Sequence, residues 1–397
     1  MTEREIFYSY LGLPALSPMA LDIVKAEGVF LYDRDGRDYI DMVSGISVSN
    51  VGHRHPKVIE AIKKQTDDYL YVNVYGEFIH SPQVRLAEKL CSLLPSSLDS
   101  VYFVNSGTEA IEGALKLAKR YTGRPGIIAF KNAYHGSTHG ALSILGNEAM
   151  KQAFRPLLPD VNFLEFNNFC DLDRIGPHTA CVVAETTQSE AGLIPSADGF
   201  MFQLRKRCNE TGALLIIDDV QMGFGRTGRL FSFEEYGIVP DILVLAKALG
   251  AGMPLGAFIA SKPVMDTLAF NPELGHITTF GGHPLSCAAA LAGLDIMIQP
   301  GLIQQAEGKG RLIEELLDPA LQSGSISDIR RKGLALGIDL ADPSKRKAFL
   351  DAALKQGVVT DFYLFKPAAF RIAPPLLISE KEIREGMRRL IEAMASL

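Results

Sequence analysis

LVLAKALG, residues 243–250, places Lys247 at the end of an apolar run and just before a glycine. A buried ammonium group is costly unless it is neutralised or hydrogen-bonded. A second apolar run, LLIID at residues 214–218, ends in the same way on Asp218. Each strand-like run therefore brings an ionisable group to its C-terminal end, where open α/β sheets build active sites.

Lys247 and Asp218 together suggest one chemistry, although each alone has an ordinary structural interpretation. Most lysines are solvated surface groups, and an aspartate after a strand is usually a turn former or a helix cap. A desolvated lysine can instead lose its proton and attack carbonyls, and a fixed carboxylate can keep a pyridine nitrogen protonated. The pair predicts pyridoxal phosphate as the cofactor.

A phosphate group needs a binding site, and VYFVNSGTEA at residues 101–110 supplies a candidate. A short apolar strand runs into Ser106, Gly107 and Thr108, and the residues that follow have helical composition and spacing. The free N–H groups and the positive end of such a helix favour an anion. Ser106 and Glu109 also fit a capping box, which is the structural alternative. Beside the lysine and the aspartate, we favour phosphate binding.

Short apolar runs alternate with helical or looped segments through the middle of the chain, which is typical of α/β proteins with a mostly parallel sheet. The predicted strands are 101–104, 127–130, 161–166, 181–184, 214–217, 242–245 and 257–260. Later elements are expected as helices at 285–298, near 304–317, near 345–356 and at 379–394, with strand structure in 326–340. We expect a large domain of residues 51–299 and a smaller α+β domain formed by residues 1–50 and 300–397.

Several ordered motifs carry a family resemblance. They are NSGTEA at 105–110, YHG at 134–136, residues 185–192, IDDVQMGFGRTG at 217–228, the stretch around Lys247, TTFGG at 278–282 and RIAPPL at 371–376. Through them the chain resembles, over nearly its whole length, the class III pyridoxal-phosphate aminotransferases of fold type I. This is the group of acetylornithine, ornithine and 4-aminobutyrate aminotransferases. The resemblance implies an α/β fold whose large domain holds a mostly parallel seven-stranded sheet.

For the cofactor, the resemblance implies that Lys247 holds pyridoxal phosphate covalently and later carries a proton. Asp218 would pair with the ring nitrogen, Gln221 would bind near the phenolic oxygen, and Tyr134 would stack on the ring. The other implied cofactor-binding residues are Ser106, Gly107, Thr108, His135, Glu185 and Thr279. Thr279 would come from the other subunit of a homodimer with shared active sites.

For the substrates, the resemblance implies that Arg371 clamps the α-carboxylate of an amino or keto acid with its two-pronged guanidinium. Glu190 would pair with Arg371 when the substrate offers no α-carboxylate. Ile46, Ser137 and Thr278 are the other implied substrate-binding positions.

The chain departs from the usual family residues at several positions. Most members with acidic donors have an arginine where Ser137 stands, and ornithine aminotransferases have a tyrosine at Ile46. Asp219 shortens the usual glutamate, ETTQSE at 185–190 replaces Glu-Pro-x-Gln-Gly-Glu, and His283 replaces an asparagine. We expect amino transfer from an ω-amino donor, with N-acetylornithine first, to 2-oxoglutarate. Free ornithine, 4-aminobutyrate and other ω-amines are the alternatives.

Other classes of protein have some support in the sequence. GFGRTG at 223–228 matches the glycine fingerprint of nicotinamide-binding oxidoreductases, but no clean amphipathic helix follows it. The pairs His53 with His55 and His135 with His139 lack a companion cysteine or carboxylate cluster, so we expect no metal. A non-catalytic pyridoxal-phosphate-binding protein, a decarboxylase and a racemase are further alternatives.

Composition agrees with a globular enzyme. The chain has 397 residues, of which 47% are hydrophobic and 22% charged, and its net charge of −6 gives no reason to expect nucleic acid or an anionic membrane as partner. No apolar stretch approaches membrane-spanning length, and residues 1–17 lack the pattern of a signal peptide. The five cysteines show no paired spacing, and we predict a cytoplasmic protein.

Overall fold

The computed structural model describes residues 1–74 and 76–397. Its helices are α1 (Glu3–Tyr10), α2 (Ser44–Ser47), α3 (Pro56–Asp68), α4 (Ser81–Leu93), α5 (Gly107–Thr122), α6 (His139–Ser143), α7 (Phe200–Thr211), α8 (Lys262–Met265), α9 (Pro284–Met297), α10 (Gln305–Gln322), α11 (Arg346–Lys355) and α12 (Glu380–Ala395). Its strands are β1 (Ile23–Glu27), β2 (Phe30–Asp33), β3 (Asp38–Asp41), β4 (Ser100–Val104), β5 (Gly126–Phe130), β6 (Val161–Leu164), β7 (Thr179–Ala184), β8 (Thr187–Gln188), β9 (Ile194–Pro195), β10 (Leu214–Asp218), β11 (Ile242–Leu245), β12 (Gly256–Ala260), β13 (Ile326–Lys332), β14 (Ala335–Leu340), β15 (Val358–Val359), β16 (Asp361–Phe362) and β17 (Ala369–Ile372).

Within the described residues, the central sheet has seven strands in the order β4-β12-β11-β10-β7-β5-β6. β12 runs antiparallel to β4 and β11, and the other neighbours are parallel. The strands predicted from the apolar runs form this sheet, so the predicted α/β fold is confirmed. The run at 161–166 forms a strand only to Leu164, because the N–H of Glu165 donates to Asp171 Oδ2 (2.8 Å) instead of to a neighbouring strand.

Both faces of the central sheet are covered by apolar side chains. Alternate residues of a strand point to opposite faces, so each face receives every second residue of β10 and β11. One cluster takes Leu215, Ile217, Leu243 and Leu245, and the cluster on the other face takes Leu214, Ile216, Ile242 and Val244. Ionisable groups can therefore be accommodated only where these strands end, which is where Asp218 and Lys247 lie.

A separate apolar cluster joins the two ends of the chain. It includes Ile40 and Met42 from the N-terminal part together with Ile313, Phe349 and Phe370 from the C-terminal part. β3 and β15 pair in parallel, and a second sheet has the order β13-β14-β17-β16. This arrangement agrees with a small domain built from both termini, and the boundaries at 50 and 300 stay a prediction.

The C-terminal elements differ from the predicted ones in two places. Residues 326–340 form a hairpin of β13 and β14 that turns at Gly333, which has a positive φ of 57° and where a Cβ would lie 2.4 Å from the Arg226 carbonyl oxygen. The helix predicted near 304–317 continues past Pro319 to the end of α10, because Leu317 and Ala320 are buried in the apolar cluster. The free energy gained by packing this helix thus exceeds the cost of the backbone hydrogen bond that Pro319 cannot donate.

Among the described residues, no helix combines the length and the apolar character needed to cross a lipid bilayer.

Candidate active site

The end of the central sheet where β10 and β11 finish opens into a cavity of about 550 Å³. Most of the predicted site residues line it, namely Ser106, Gly107, Thr108, Tyr134, His135, Ser137, Glu185, Glu190, Asp218, Gln221 and Lys247. Neutral residues that the sequence did not single out complete the wall, among them Val48, Asn105, Met222, Met253 and Leu255. The structure thus brings into one place residues spread over 200 positions of the chain.

Lys247 lies in a tight turn just after the end of β11. Its φ of 50° is in the left-handed region, which a residue with a side chain adopts at some cost. Its Nζ donates a hydrogen bond to Gln221 Oε1 at 3.1 Å. Burial lowers the pKa of Lys247, although the nearby Glu190 and Asp218 act to raise it. The site therefore favours the neutral amine more than bulk water does.

Asp218 closes β10 and is fixed by two contacts. Its Oδ2 lies 2.7 Å from Nδ1 of His135, and its Oδ1 accepts from the Val220 N–H at 3.1 Å. Burial alone would lower the pKa of His135, but the hydrogen bond and charge of Asp218 raise it. Asp218 therefore favours the protonated form of His135, and the contact fixes the orientation of the Asp218 carboxylate. Nε2 of His135 is buried and has no hydrogen-bond partner among the described residues.

Glu185 connects two loops beside the cavity. Its Oε1 accepts from the Tyr134 N–H at 3.2 Å, and its Oε2 accepts from the Ser189 N–H at 3.0 Å. Burial raises the pKa of Glu185 to about 7, although the nearby His135 acts against this shift. The carboxyl group thus holds the segments of Tyr134 and Ser189 together at the wall of the cavity.

The predicted phosphate site is the beginning of α5. Ser106 is the N-cap, and its Oγ accepts from the Glu109 N–H at 3.3 Å. The Glu109 carboxylate turns to the Asn105 N–H (2.7 Å) instead of the Ser106 N–H, so the capping box is only half formed. A Cβ on Gly107 would lie 3.1 Å from the Val220 methyl groups, so the backbone there lies close against its neighbours.

The first N–H groups of a helix lack partners within the helix, and they attract anions. At α5 these groups face the same cavity as the amine of Lys247 and the carboxylate of Asp218. Together the three features fit a phosphorylated pyridine aldehyde. Asp218 would suit a protonated ring nitrogen, and the first turn of α5 would suit the phosphate.

Arg371 and Glu190 form a two-pronged ion pair beside Lys247. Nη1 and Nη2 of Arg371 lie 3.0 Å from Oε1 and Oε2 of Glu190, respectively. Both side chains are almost fully buried. Burial alone would lower the pKa of Arg371, but the charge and hydrogen bonds of Glu190 raise it. Glu190 therefore occupies the guanidinium nitrogens that would otherwise bind a substrate carboxylate.

Four predicted residues do not line the cavity, namely Arg371, described above, and Thr278, Thr279 and Ile46. Thr279 is exposed, and its carbonyl oxygen accepts from the Tyr71 hydroxyl at 2.8 Å. Thr278 lies next to the predicted phosphate site, where its Oγ1 accepts from Asn105 Nδ2 at 3.1 Å. Ile46 sits in a left-handed turn with a φ of 61°, and Val48, two residues further on, is the one that lines the cavity. Ser137 does line it, with its Oγ 3.2 Å from the Tyr134 hydroxyl.

The glycine-rich loop at 223–228 holds a buried arginine that the sequence did not identify as structural. The Arg226 guanidinium is fully buried and donates to the carbonyl oxygens of Leu334 (2.9 Å) and Pro374 (2.6 Å) and to Asn50 Oδ1 (2.6 Å). Burial lowers the pKa of Arg226 to about 9. The loop thus ties the large sheet to both ends of the chain. It leads into the short 3₁₀ turn Ser232–Tyr236, not into the long helix that a nucleotide fingerprint needs.

Both histidines of the pair His53 and His55 have structural partners. His53 Nε2 lies 2.8 Å from Asp41 Oδ2, while His55 caps α3 by accepting from the Lys57 N–H. In the part of the chain that the structure describes, no group of three or more His, Cys, Asp or Glu side chains could hold a metal ion.

Comparisons with known proteins agree with this fold and site. The family model described as Aminotransferase class-III matches residues 14–394. Acetylornithine aminotransferase of Bacillus subtilis is 40% identical over 94% of this chain and 95% of its own. The LysW-aminoadipate semialdehyde/glutamate semialdehyde transaminase of Sulfurisphaera tokodaii is 39% identical over 92% of both chains. The solved ornithine aminotransferase of Toxoplasma gondii superposes with a TM-score of 0.91 at 27% identity, covering 99% of this chain and 93% of that one.

Fold and site together define an enzyme of the fold type I class that depends on pyridoxal phosphate. Within that class, the chain belongs to the class III aminotransferases. The predicted family, enzyme class and cofactor are confirmed, and the nicotinamide interpretation of residues 223–228 is wrong. That loop is glycine-rich because it turns tightly around Arg226, with positive φ at Gly225 and Gly228.

Proposed function

We propose that Lys247, Asp218 and the first turn of α5 hold pyridoxal phosphate in this cavity. Lys247 would bind the cofactor covalently through Nζ, Asp218 would keep the ring nitrogen protonated, and Gly107 and Thr108 would bind the phosphate. The shared cavity and the tight packing at Gly107 support this placement. When bound, the cofactor supplies an aldehyde for the donor's amino group and a ring that takes up the electron pair left by proton removal.

Lys247 is the candidate for moving the proton at the substrate carbon. An amine accepts a proton only in its neutral form, and burial shifts the pKa of Lys247 toward that form. Gln221 holds Nζ at 3.1 Å and so limits the directions in which the amine can point. Asp218 in turn is oriented by His135, which acts as a positioning residue.

The Arg371–Glu190 pair is the observation that carries the proposal for a two-substrate cycle. When Glu190 turns away, Arg371 can bind the α-carboxylate of a keto acid with the same two nitrogens. When the pair is closed, the guanidinium is neutralised and a substrate without an α-carboxylate near its amine can enter. One site would thus serve two kinds of substrate in turn, with 2-oxoglutarate as the acceptor.

For the donor, we infer an ω-amino compound of the N-acetylornithine type. The closed pair in the structure suits a donor whose reacting amine is remote from its α-carboxylate. The relatives named for acetylornithine and for semialdehydes support the same class.

A primary amine with an uncharged tail is the second candidate. Ser137 lines the cavity at the position where most members with acidic donors carry an arginine. Apart from Lys247, no lysine or arginine among the described residues lines this cavity. A carboxylate on the far end of the donor would therefore find no cation of this chain in the wall, whereas an uncharged tail needs none.

We infer a homodimer with shared active sites. Thr279 is exposed in the single chain, and two large apolar side chains beside it are exposed as well, Phe280 (54%) and Ile277 (51%). The ring of Tyr71 contacts that of Phe280, and the neighbouring Leu70 is also exposed (57%). Exposed apolar patches of this kind are typical of association surfaces. A second copy that covers this patch would bring its Thr279 to the neighbouring site.

We also infer that the protein works in the cytoplasm. All five cysteines are free thiols, and three of them are buried. Unpaired cysteines are typical of proteins kept in a reducing compartment.

A donor panel tests the proposed function. N-acetylornithine, ornithine, 4-aminobutyrate and an uncharged primary amine are each offered with 2-oxoglutarate or pyruvate, and formation of glutamate or alanine is followed. Transfer from at least one ω-amino donor to 2-oxoglutarate is expected, and transfer from α-amino acids alone contradicts the proposal. Ser137→Arg is the matched variant, because it should raise the rate with donors that carry a distal carboxylate and leave the uncharged amine no better than before.

A further inference from the structure

The Arg371 guanidinium has contacts that do not depend on Glu190. Its Nη2 donates to the Phe362 carbonyl oxygen at 3.1 Å. Its Cζ lies 4.5 Å from the centre of the Tyr363 ring, so a flat cation faces an aromatic surface. When Glu190 leaves to admit a substrate carboxylate, these two contacts remain, together with the Asp361 carboxylate, whose Oδ2 lies 4.0 Å from Arg371 Nε.

Tyr363 is itself held at its far end. Its hydroxyl donates to the Leu336 carbonyl oxygen at 3.0 Å, on the strand β14 that pairs directly with the strand of Arg371. The side chain is only 3% exposed. A buried hydroxyl that loses its partner is penalised, so the ring cannot rotate away from the guanidinium without cost.

The same short segment also binds Glu190. The Leu364 N–H donates to Glu190 Oε2 at 3.0 Å, and the Phe365 N–H donates to the Glu190 carbonyl oxygen at 3.0 Å. Residues 362–365 thus contact both members of the ion pair through separate groups. The pair can open without loss of the contacts that aim Arg371.

We propose that Tyr363 is a positioning residue for the keto-acid acceptor, because it holds the guanidinium of Arg371 in the binding orientation while Glu190 is displaced. This inference rests on the proposed role of Arg371 in binding the acceptor's α-carboxylate. Tyr363 touches neither the donor nor the reacting atoms in this account. Its effect is therefore specific to acceptors that carry an α-carboxylate.

The test compares KM values in Tyr363→Leu, which removes the aromatic face, and Tyr363→Phe, which removes only the hydroxyl tether. Tyr363→Leu should raise the KM for 2-oxoglutarate about tenfold, with a smaller rise for Tyr363→Phe. The KM for a simple aldehyde acceptor without a carboxylate, and the KM for the donor, should stay unchanged. Phe349→Leu is the control, since it shortens a buried aromatic side chain in the apolar cluster that joins the two ends of the chain, a cluster that does not include Tyr363.

The inference is overturned if the Tyr363 variants leave the KM for 2-oxoglutarate unchanged, if the aldehyde KM rises equally, or if Phe349→Leu gives the same effect. If Tyr363→Leu does not fold, Tyr363→Phe alone decides, and an unchanged KM for 2-oxoglutarate then counts against the inference. Arg371→Ala separates the two proposals. If that variant keeps its KM for 2-oxoglutarate, the acceptor role of Arg371 itself is wrong, whatever the Tyr363 variants do.

Discussion

Glu190 and Arg371 are joined by two hydrogen bonds of 3.0 Å in a buried ion pair. Removing one member of a buried ion pair leaves the other charge unpaired, which is more harmful than removing both. In the proposed two-substrate cycle, substitution of Arg371 and substitution of Glu190 should therefore affect the acceptor and donor half-reactions differently.

Arg371→Ala should weaken the acceptor half-reaction far more than the donor half-reaction. Loss of a two-pronged carboxylate contact costs about 2–5 kcal/mol, which corresponds to a rise of about 30-fold to about 5,000-fold in the KM for 2-oxoglutarate. Single-turnover kinetics of each half-reaction measure the difference. Equal losses in both halves would show that Arg371 is only structural.

Glu190→Gln should have the opposite bias. The neutral amide leaves the buried Arg371 without its counter-charge. The guanidinium then stays available to α-carboxylates, and its unpaired charge disfavours the binding of donors without an α-carboxylate. We expect a lower KM for 2-oxoglutarate and a slower reaction with ω-amino donors, measured in the same two half-reactions. A uniform loss of both activities would contradict the switch.

Asp218→Asn should fold normally and react slowly. The amide can still contact His135, but it no longer offers a negative charge to a protonated ring nitrogen. We expect a loss of several kcal/mol in transition-state stabilisation, each ~1.4 kcal/mol of which is a tenfold fall in kcat. A kcat within about twofold of the wild-type value would make Asp218 a strand-end turn residue only.

Asp219 gives a pH dependence of stability that does not involve the cavity. Burial raises the pKa of Asp219 from its usual value to about 7, and its Oδ2 accepts from the Ser232 N–H at 2.9 Å. Because the folded state holds the proton more tightly than the unfolded state, this group's contribution is fully present below pH ~4 and is lost as the pH rises to about 7.

Asp219→Asn cannot ionise and should escape this loss. The variant should gain up to a few kcal/mol over the wild type between pH 5 and pH 8 in the free energy of unfolding measured with denaturant. Asp295→Asn, which removes an exposed carboxylate, is the control. An identical pH dependence in Asp219→Asn and the wild type would show that Asp219 is not protonated in the folded protein.

Shared sites in a dimer predict complementation. A Lys247→Ala protomer and a Thr279→Ala protomer each lack one residue, but their heterodimer contains one site with both native residues. Random mixing should restore about a quarter of the wild-type activity, since half of the dimers are mixed and each has one intact site. No recovery in mixtures that sedimentation shows to be heterodimeric would contradict shared sites.

The sequence predicted the sheet and the polar residues at its ends because both depend on local patterns. Apolar runs must be buried on two faces in a parallel sheet, and a lysine or aspartate at the end of such a run stands out. The roles of Arg226 and Tyr363 could not be predicted in this way. Arg226 finds its partners at Asn50, Leu334 and Pro374, which are more than 100 residues away along the chain.

Other features depend on geometry that no local pattern contains. The capping box that was the alternative for Ser106 and Glu109 forms only in part. The Glu109 carboxylate reaches Asn105, whose N–H and Nδ2 are both within 2.9 Å. Thr279 lies outside the cavity of its own chain, so its proposed role requires a second copy. The stack of Arg371 on Tyr363 arises because β17 and the end of β16 bring two residues eight positions apart together.

The covalent role of Lys247 is tested most directly by the absorbance and turnover of Lys247→Ala. This variant should still bind pyridoxal phosphate through α5 and Asp218, lack the absorbance band of a lysine-bound cofactor, and lose nearly all transfer to 2-oxoglutarate. Lys309→Ala, which removes a half-buried lysine bound to the Leu376 carbonyl, should keep both properties. Wild-type absorbance and turnover in Lys247→Ala would contradict the whole account of this site.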